Sequence, residues 1–223
     1  MTDEADALRQ AADTMKAVRQ ACPWSQQITH RDLVPYLIEE SHEVIDAVEA
    51  GTRADLREEL GDLLWQVLFH AAIAAQDGDD PFDIDDVAQT LTEKMVRRHP
   101  HVFADEVATT PEEVLVHWNA AKAAEKRERT SVLDGVPRGM PALALAQKLI
   151  GRASSLTPSP PIPEPVEGSN PSPALALPAS ESALGDALLT LVAHARDQGW
   201  DAERALRERL RLLEAEVRAA EGR

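Results

Sequence analysis

Cysteine is almost absent from this chain of 223 residues, because Cys22 is the only one. An intramolecular disulfide and a zinc site built from several cysteines are therefore excluded, and we expect a reducing, cytoplasmic location. Aromatic residues make up only 4% of the sequence, which is lean for a β-sandwich. No apolar run approaches the roughly 18 residues that a membrane helix needs. The acidic start, Met1 to Asp6, lacks the basic residues of a signal peptide, so we expect no membrane association.

Positive charge is also scarce, since the first 90 residues hold 20 acidic and only 6 basic side chains. The whole chain carries a formal net charge of −16 at pH 7. Such a surface repels phosphate backbones, so we expect no nucleic-acid partner. A phosphorylated small molecule can still bind where metal cations bridge it to the acids.

Proline is concentrated in one segment, residues 157–178, which holds 8 of the 15 prolines. No helix or central strand tolerates that density, so the segment is predicted to be a linker or disordered insert. A surface-recognition peptide is the less common alternative. We therefore predict a domain over residues 1–153, a linker over 154–180 and a helical segment over 181–223.

Helical patterns account for the remainder of the chain. Apolar residues recur at helical spacing between Gly, Pro and Thr signals, and Thr52 is predicted to cap the third helix. That helix is apolar almost all round, which is typical of burial in a bundle or at a subunit interface. Alternating strands and helices do not occur, so we predict an all-α fold. The predicted helices cover residues 3–21, 31–50, 53–76, 83–98, 111–128, 140–153, 181–197 and 201–220.

Four acidic side chains form two pairs on consecutive predicted helices. Glu40 and Glu43 are three residues apart and share one helix face, and Glu59 and Asp62 repeat that spacing. The short turn around Gly51 makes the two helices antiparallel neighbours, so the four carboxylates can converge. Clustered carboxylates beside a core need cations, and oxygen ligands suit Mg²⁺ first and Mn²⁺ second. From the spacing alone, ordinary surface glutamates are an equal alternative.

The segment from Cys22-Pro23-Trp24 to Asp62, with E-E-x-x-E followed by E-x-x-D, resembles the MazG family of nucleoside triphosphate pyrophosphohydrolases. The similarity continues through KMVRRHPHVF (94–103), Trp118, Lys122, VLDGVP (132–137) and residues 143–148, and covers residues 8–150 in all. The resemblance implies an all-α bundle completed by a homodimer. It also implies hydrolysis of a nucleoside triphosphate to the monophosphate and pyrophosphate. Mg²⁺ would be held by Glu40, Glu43, Glu59 and Asp62, and Glu39 would support the metal shell or orient water.

Further residues are candidates for binding the nucleotide. Basic side chains should bind the distal phosphates, and the candidates are Lys94, Arg97, Arg98 and Lys122. For any one of these residues, a place on a solvated helix face is an equal interpretation. Trp24 and Trp118 could stack on a base, although most tryptophans pack in cores. Gln27 and His30 lie before the first motif helix, where the resemblance implies contacts with the nucleotide. Gln66 and His70 lie on the same face of the predicted helix as Glu59. They are interpreted either as groups that support the metal ligands or as polar residues of the core.

The C-terminal segment resembles a degenerate second copy of the same domain. Leu184-Gly185-Asp186 repeats Leu60-Gly61-Asp62, but Ala183 stands where the first copy has Glu59. This segment is interpreted as retained for packing or dimerisation, or as loosely attached helices.

Two other functions of the protein remain open: a di-iron carboxylate bundle, suggested by Glu-x-x-His at 39–42, and a non-catalytic partner-binding or regulatory module.

Overall fold

The computed structural model describes residues 6–125, 131–154, 156 and 178–221. All regular structure within those residues is helical, which confirms the all-α prediction. No helix among them combines the length and the apolar character that crossing a bilayer requires. The helices are α1 (Ala7–Ala21), α2 (Pro23–Gln27), α3 (Val34–Glu49), α4 (Arg53–Ala74), α5 (Ile84–Arg98), α6 (Pro100–Phe103), α7 (Pro111–Ala124), α8 (Ala142–Ala153), α9 (Glu181–Asp197) and α10 (Ala202–Ala220).

A helix lies within each predicted range, and the differences are at the helix ends and at two short additional helices. Residues 3–5 and 126–128 of the predicted ranges lie outside the described residues. The short helices α2 and α6 were not predicted, because Pro23 and Pro100 suggested only the end of the preceding helix. Each proline instead occupies the first turn of a new helix, where its missing N–H costs nothing. Helix α3 begins at Val34 rather than residue 31, because Thr29 and Asp32 hydrogen-bond to each other in a preceding turn.

The chain divides into two compact units, Met1–Glu125 and Lys126–Arg223. In the first unit, α3 and α4 form a helical hairpin, and α1 packs across α4. The core of this unit is a cluster of four buried side chains, Met15, Leu33, Leu68 and Phe69. Arg19 is buried beside it and links three segments, donating hydrogen bonds to the Gln76 side chain and to the carbonyl of Ile28.

Helix α4 has 22 residues and a reciprocal cap at its start. The Thr52 hydroxyl accepts a hydrogen bond from the Asp55 amide, and the Asp55 carboxylate accepts one from the Thr52 amide. The predicted N-cap is therefore confirmed. Burial along this helix is concentrated in its C-terminal half, at Leu68 and Phe69, whereas Leu60 is 50% exposed. The apolar surface that predicted a buried helix is thus only partly covered within this unit.

In the second unit, α8 contacts both α9 and α10. The Ala144 amide donates to the Glu203 carboxylate, and the Gln147 side chain bonds to the backbone at Trp200 and Ala202. Helix α8 therefore packs with the C-terminal helices, although the predicted first domain extends to residue 153. Most of the predicted linker, residues 157–177, lies outside the described residues, and the three-domain division stays a prediction.

Candidate functional site

The turn between α3 and α4 brings carboxylates from both helices together. Only residues 50–52 separate the two helices, and Gly51 approaches the Ala47 backbone so closely that a Cβ atom would lie 2.7 Å from the Ala47 Cα. Across this hairpin, Glu40, Glu43 and Glu59 each offer one carboxylate oxygen, and the three oxygens lie within 4.8 Å of one another. The predicted convergence of acids from two helices is therefore present for these three glutamates, which we call the glutamate cluster.

The electrostatics of the glutamate cluster show that its charges repel one another. Burial raises the pKa of Glu40, and the negative charges of Asp62 and Glu43 raise it further. The pKa of Glu59 is raised for the same reasons, first by desolvation and then by Glu43 and Asp62. Carboxylates that are hard to ionise side by side become fully ionised when a cation is shared between them. The donor set is all oxygen, which suits a hard divalent cation such as Mg²⁺.

The two other acids of the motif lie at the margin of this cluster. Asp62 is exposed and lies outside the group whose oxygens are all within 4.8 Å, but its charge acts on both Glu40 and Glu59. Glu39 is also exposed and has a smaller effect on the pKa of Glu40. Both residues therefore add negative potential to the place where a cation would bind.

A polar stripe continues along α4 beyond the acids, because residues 59, 62, 66 and 70 share one helix face. His70 stacks on His30, and the two Nδ1 atoms are 2.7 Å apart, so the Nδ1–H of one ring donates a hydrogen bond to the Nδ1 of the other. Burial lowers the pKa of His70, and His30 adds to the effect. The Nε2 atom of His70 and the Oε1 atom of Gln66 are buried without a hydrogen-bond partner among the described residues. His30, predicted to contact the nucleotide, thus has a protein partner 40 residues away.

The predicted phosphate-binding arginines form a second group, on α5 and α7. The Arg98 guanidinium lies 5.0 Å from the ring centroid of Trp118 and donates to the Glu125 carboxylate at 2.6 Å. Arg97 reaches the other oxygen of Glu125 at 3.4 Å. These arginines hold the pKa of Glu125 below its usual range, Arg98 having the larger effect. Two predicted cations and one predicted aromatic side chain are therefore adjacent, and an acid partly neutralises them.

The remaining residues predicted to bind the nucleotide differ in their exposure and contacts. Trp24 is 53% exposed and makes edge contacts with the rings of Tyr36 and Phe69, so it borders the core while keeping a free face. Gln27 is exposed, whereas Lys94 and Lys122 are half-buried. Because of this burial, each lysine has less freedom to move than a fully solvated one.

Sequence reasoning missed two features of the α5–α7 group. Glu125 was not recognised as a counterion, since nothing in the local pattern relates it to arginines 27 and 28 residues earlier. Three histidines also line up beside Trp118: the ring of His99 contacts Trp118 and His101, and His101 stacks on His117. The sequence could have indicated this group, because two arginines followed directly by a histidine, in RRHPH (97–101), are unusual in so acidic a chain.

The fold and the glutamate cluster together define a class: an all-α protein whose helical hairpin presents carboxylates suited to a divalent cation. Residues 28–103, which include the cluster, match the family model for the MazG nucleotide pyrophosphohydrolase domain. An uncharacterised 26.1 kDa protein of Streptomyces cacaoi is 48% identical over 217 residues, 96% of this chain and 83% of that protein.

Two relatives carry the name nucleoside triphosphate pyrophosphohydrolase. The protein of Mycobacterium tuberculosis is 53% identical over 64% of this chain and 43% of its own length. The protein of Escherichia coli is 39% identical over 69% of this chain and 59% of its own length. A solved MazG-related protein of Thermotoga maritima, 29% identical, superposes with a TM-score of 0.45 over 51% of this chain and 97% of its own. The chain spans about half the length of the named pyrophosphohydrolases.

The chain belongs to the MazG family of nucleotide pyrophosphohydrolases. The family predicted from the E-E-x-x-E and E-x-x-D motifs is thereby confirmed. The match ends at residue 103, so it contains the glutamate cluster and the arginines of α5 but not Trp118 or Lys122.

Proposed function

We propose that this protein hydrolyses nucleoside triphosphates to the monophosphate and pyrophosphate, with Mg²⁺ as cofactor and Mn²⁺ as a substitute. The observation that carries the proposal is the glutamate cluster, three carboxylate oxygens within 4.8 Å of one another inside the region matched to the family. A triphosphate is a polyanion and so is this site, so the two can associate only through shared cations. The related proteins named as nucleoside triphosphate pyrophosphohydrolases support the choice of substrate class.

Glu40, Glu43 and Glu59 are the proposed metal ligands, with Asp62 as the fourth. The raised pKa values of Glu40 and Glu59 and the all-oxygen chemistry of the set fit a hard divalent cation, whereas the cluster includes no histidine to favour iron. Bound Mg²⁺ would neutralise charge on the phosphoryl oxygens and lower the pKa of water. Glu39, exposed beside Glu40, is proposed to orient that water and accept its proton.

The α5–α7 group is proposed to bind the distal phosphates. Arg97 and Arg98 share one carboxylate, Glu125, so together they retain one unit of positive charge. The planar guanidinium of Arg98 is held by Glu125 and Trp118, which prepares it for bidentate contact with phosphate oxygens. Lys94 and Lys122 are proposed as further phosphate contacts. Trp24, Trp118, Gln27 and His30 are proposed to contact the base and sugar.

We also propose that the first unit forms a homodimer. Helices α3 and α4 expose large apolar side chains, among them Tyr36, Ile38, Val48, Leu60 and Val67. An apolar surface of this kind on a helical hairpin is typical of a subunit interface. In analytical ultracentrifugation of the full chain we expect a mass of at least two copies, and Ile38→Glu should raise the protein concentration at which the copies dissociate.

The activity is tested by measuring pyrophosphate release from a panel of ribo-, deoxy- and oxidised nucleoside triphosphates. Activity should require Mg²⁺ and should fall by at least about 100-fold in Glu40→Gln and in Asp62→Asn, since each variant removes one ligand from the cation. Glu58→Gln is the matched control, because Glu58 is an exposed neighbour of Glu59 that lies outside the cluster. It should retain activity.

Two results would contradict the proposal. If the folded protein released no pyrophosphate from any member of the panel, a non-catalytic binding module would be favoured. If Glu40→Gln and Glu58→Gln were equally active, the glutamate cluster would not be the site of catalysis.

A further inference from the structure

Helix α10 leaves an apolar stripe without a partner in the described part of the chain. At its start the Ala202 amide and the Glu203 carboxylate hydrogen-bond to α8, and the helix also contacts α9. From residue 212 onwards every described residue of the helix is exposed. The stripe consists of Leu206, Leu210, Leu213 and Val217, which are 48%, 52%, 46% and 50% exposed. We call these four residues the α10 stripe.

The spacing of the α10 stripe is that of a coiled-coil seam. Steps of four, three and four residues place all four side chains on one line along the helix, as at alternating d and a positions of a heptad. A helix of this length gains most of its stability from packing an apolar face rather than from its own hydrogen bonds. A second helix laid along the stripe would supply that packing.

The charges beside the stripe indicate which helix that is. Arg207 and Arg209 border the N-terminal half of the stripe, and Glu214 and Glu216 border the C-terminal half. Reversing the helix therefore exchanges arginines for glutamates, so α10 is complementary to a reversed copy of itself. Complementarity of a surface to itself is what a two-fold symmetric contact between identical chains requires.

We propose that α10 pairs with α10 of a second copy of this chain as a short antiparallel coiled coil. A two-fold axis midway between Leu210 and Leu213 sets Leu206 against Val217 of the second copy, and Leu210 against Leu213 of the second copy. The same axis brings Arg209 beside Glu216 of the second copy, and Arg207 beside Glu214 of the second copy. A parallel pair would bring Arg209 beside Glu214 of the second copy but also Glu216 beside Glu221 of the second copy, so its attraction and repulsion offset each other, whereas both contacts of the antiparallel pair are attractive.

This contact lies in the second unit and does not depend on the proposed hydrolase activity. Within one copy, Arg209 and Glu216 already approach to 3.3 Å along the helix. Both side chains are more than half exposed, so each can also reach a partner across the pair. If the first unit dimerises as well, each contact raises the effective concentration for the other.

Disulfide trapping in the full chain tests both the pairing and its direction. In a Cys22→Ser background, the double variant Leu206→Cys with Val217→Cys should crosslink into a covalent dimer under mild oxidation. Neither single variant should, because in an antiparallel pair equivalent residues lie about 16 Å apart along the helix. A disulfide requires Cα atoms within about 7 Å. Arg204→Cys with Ala215→Cys, at the same spacing but off the stripe, is the control and should not crosslink.

A charge exchange provides an independent readout on the same background. Adding Arg209→Glu should slow crosslinking roughly fivefold, since two exposed ion pairs per dimer become repulsive. Adding Glu216→Arg to that variant should restore the original rate, because the reversed order of charges is again complementary. Crosslinking of the single-cysteine variants would overturn the antiparallel register. A double-cysteine variant that folds, as judged by circular dichroism, but does not crosslink would show that the stripe is covered by its own chain or another partner, and would overturn the pairing.

Discussion

Removing one carboxylate from the glutamate cluster should stabilise the protein while destroying its function. Glu40 is the residue to change, because burial and the charges of Asp62 and Glu43 all raise its pKa. At 4.8 Å, the limiting separation of the cluster oxygens, two unit charges repel by about 0.9 kcal/mol even at the dielectric constant of water. Glutamine keeps the shape of the side chain and can donate a hydrogen bond to Glu43.

We therefore expect Glu40→Gln to stabilise the metal-free protein by about 1 kcal/mol, after allowance for screening at a partly exposed site. For a unit of this size, that corresponds to a rise of about 3 °C in Tm. The measurement is differential scanning calorimetry in EDTA at low salt, where screening is weakest. Glu58→Gln, the control outside the cluster, should change Tm by less than about 1 °C.

Added Mg²⁺ should reverse the order of the two proteins. A cation held at ten times its Kd stabilises the protein that binds it by about 1.4 kcal/mol. The wild type should gain this amount, and Glu40→Gln should gain much less because a ligand is missing. A lower Tm for Glu40→Gln than for the wild type in EDTA would refute the argument, because it would mean that the carboxylates do not repel one another in the folded state.

Three further predictions concern pH, the α5–α7 group and the cap of α4. The advantage of Glu40→Gln over the wild type in EDTA should be full at neutral pH. It should shrink as the pH falls through the raised pKa of Glu40, because protonation removes the same charge; an advantage independent of pH in calorimetric scans would contradict this linkage. Arg98→Ala should destabilise the first unit by about 1 kcal/mol or more, because it removes the contact with Trp118 as well as the bond to Glu125, and urea denaturation should show a lower midpoint. Thr52→Ala should cost about 1 kcal/mol by the same measurement, since the reciprocal bonds with Asp55 are lost, and an unchanged midpoint would count against the cap.

Much of the fold could be predicted because helix signals act over a few residues. The Thr52 cap, the apolar spacing of α3 and α4, and the loop residues between them are all local features, and the helices formed where they indicated. Errors came where one local signal has two meanings. Proline ends a helix but also begins one, and Pro23 and Pro100 were interpreted in the first sense only.

In the candidate site, too, local features could be predicted from the sequence and contacts between distant residues could not. The spacing within each acidic pair follows from helix geometry, and the convergence of Glu40 and Glu43 with Glu59 followed from a turn too short to allow another arrangement. By contrast, no periodicity relates Glu125 to Arg98, 27 residues earlier. That pairing depends on how α5 and α7 pack, which involves the whole unit.

The sequence by itself determined the all-α class, the helices, the acidic surface and the pairing of carboxylates on consecutive helices, because these depend on residues within about two turns of each other. Only the tertiary structure decided that Asp62 stands slightly apart from the three glutamates, that His30 pairs with His70, and that the α10 stripe faces outward. Those outcomes depend on the packing of side chains that are distant in sequence, where shape and burial, rather than local spacing, decide which groups meet.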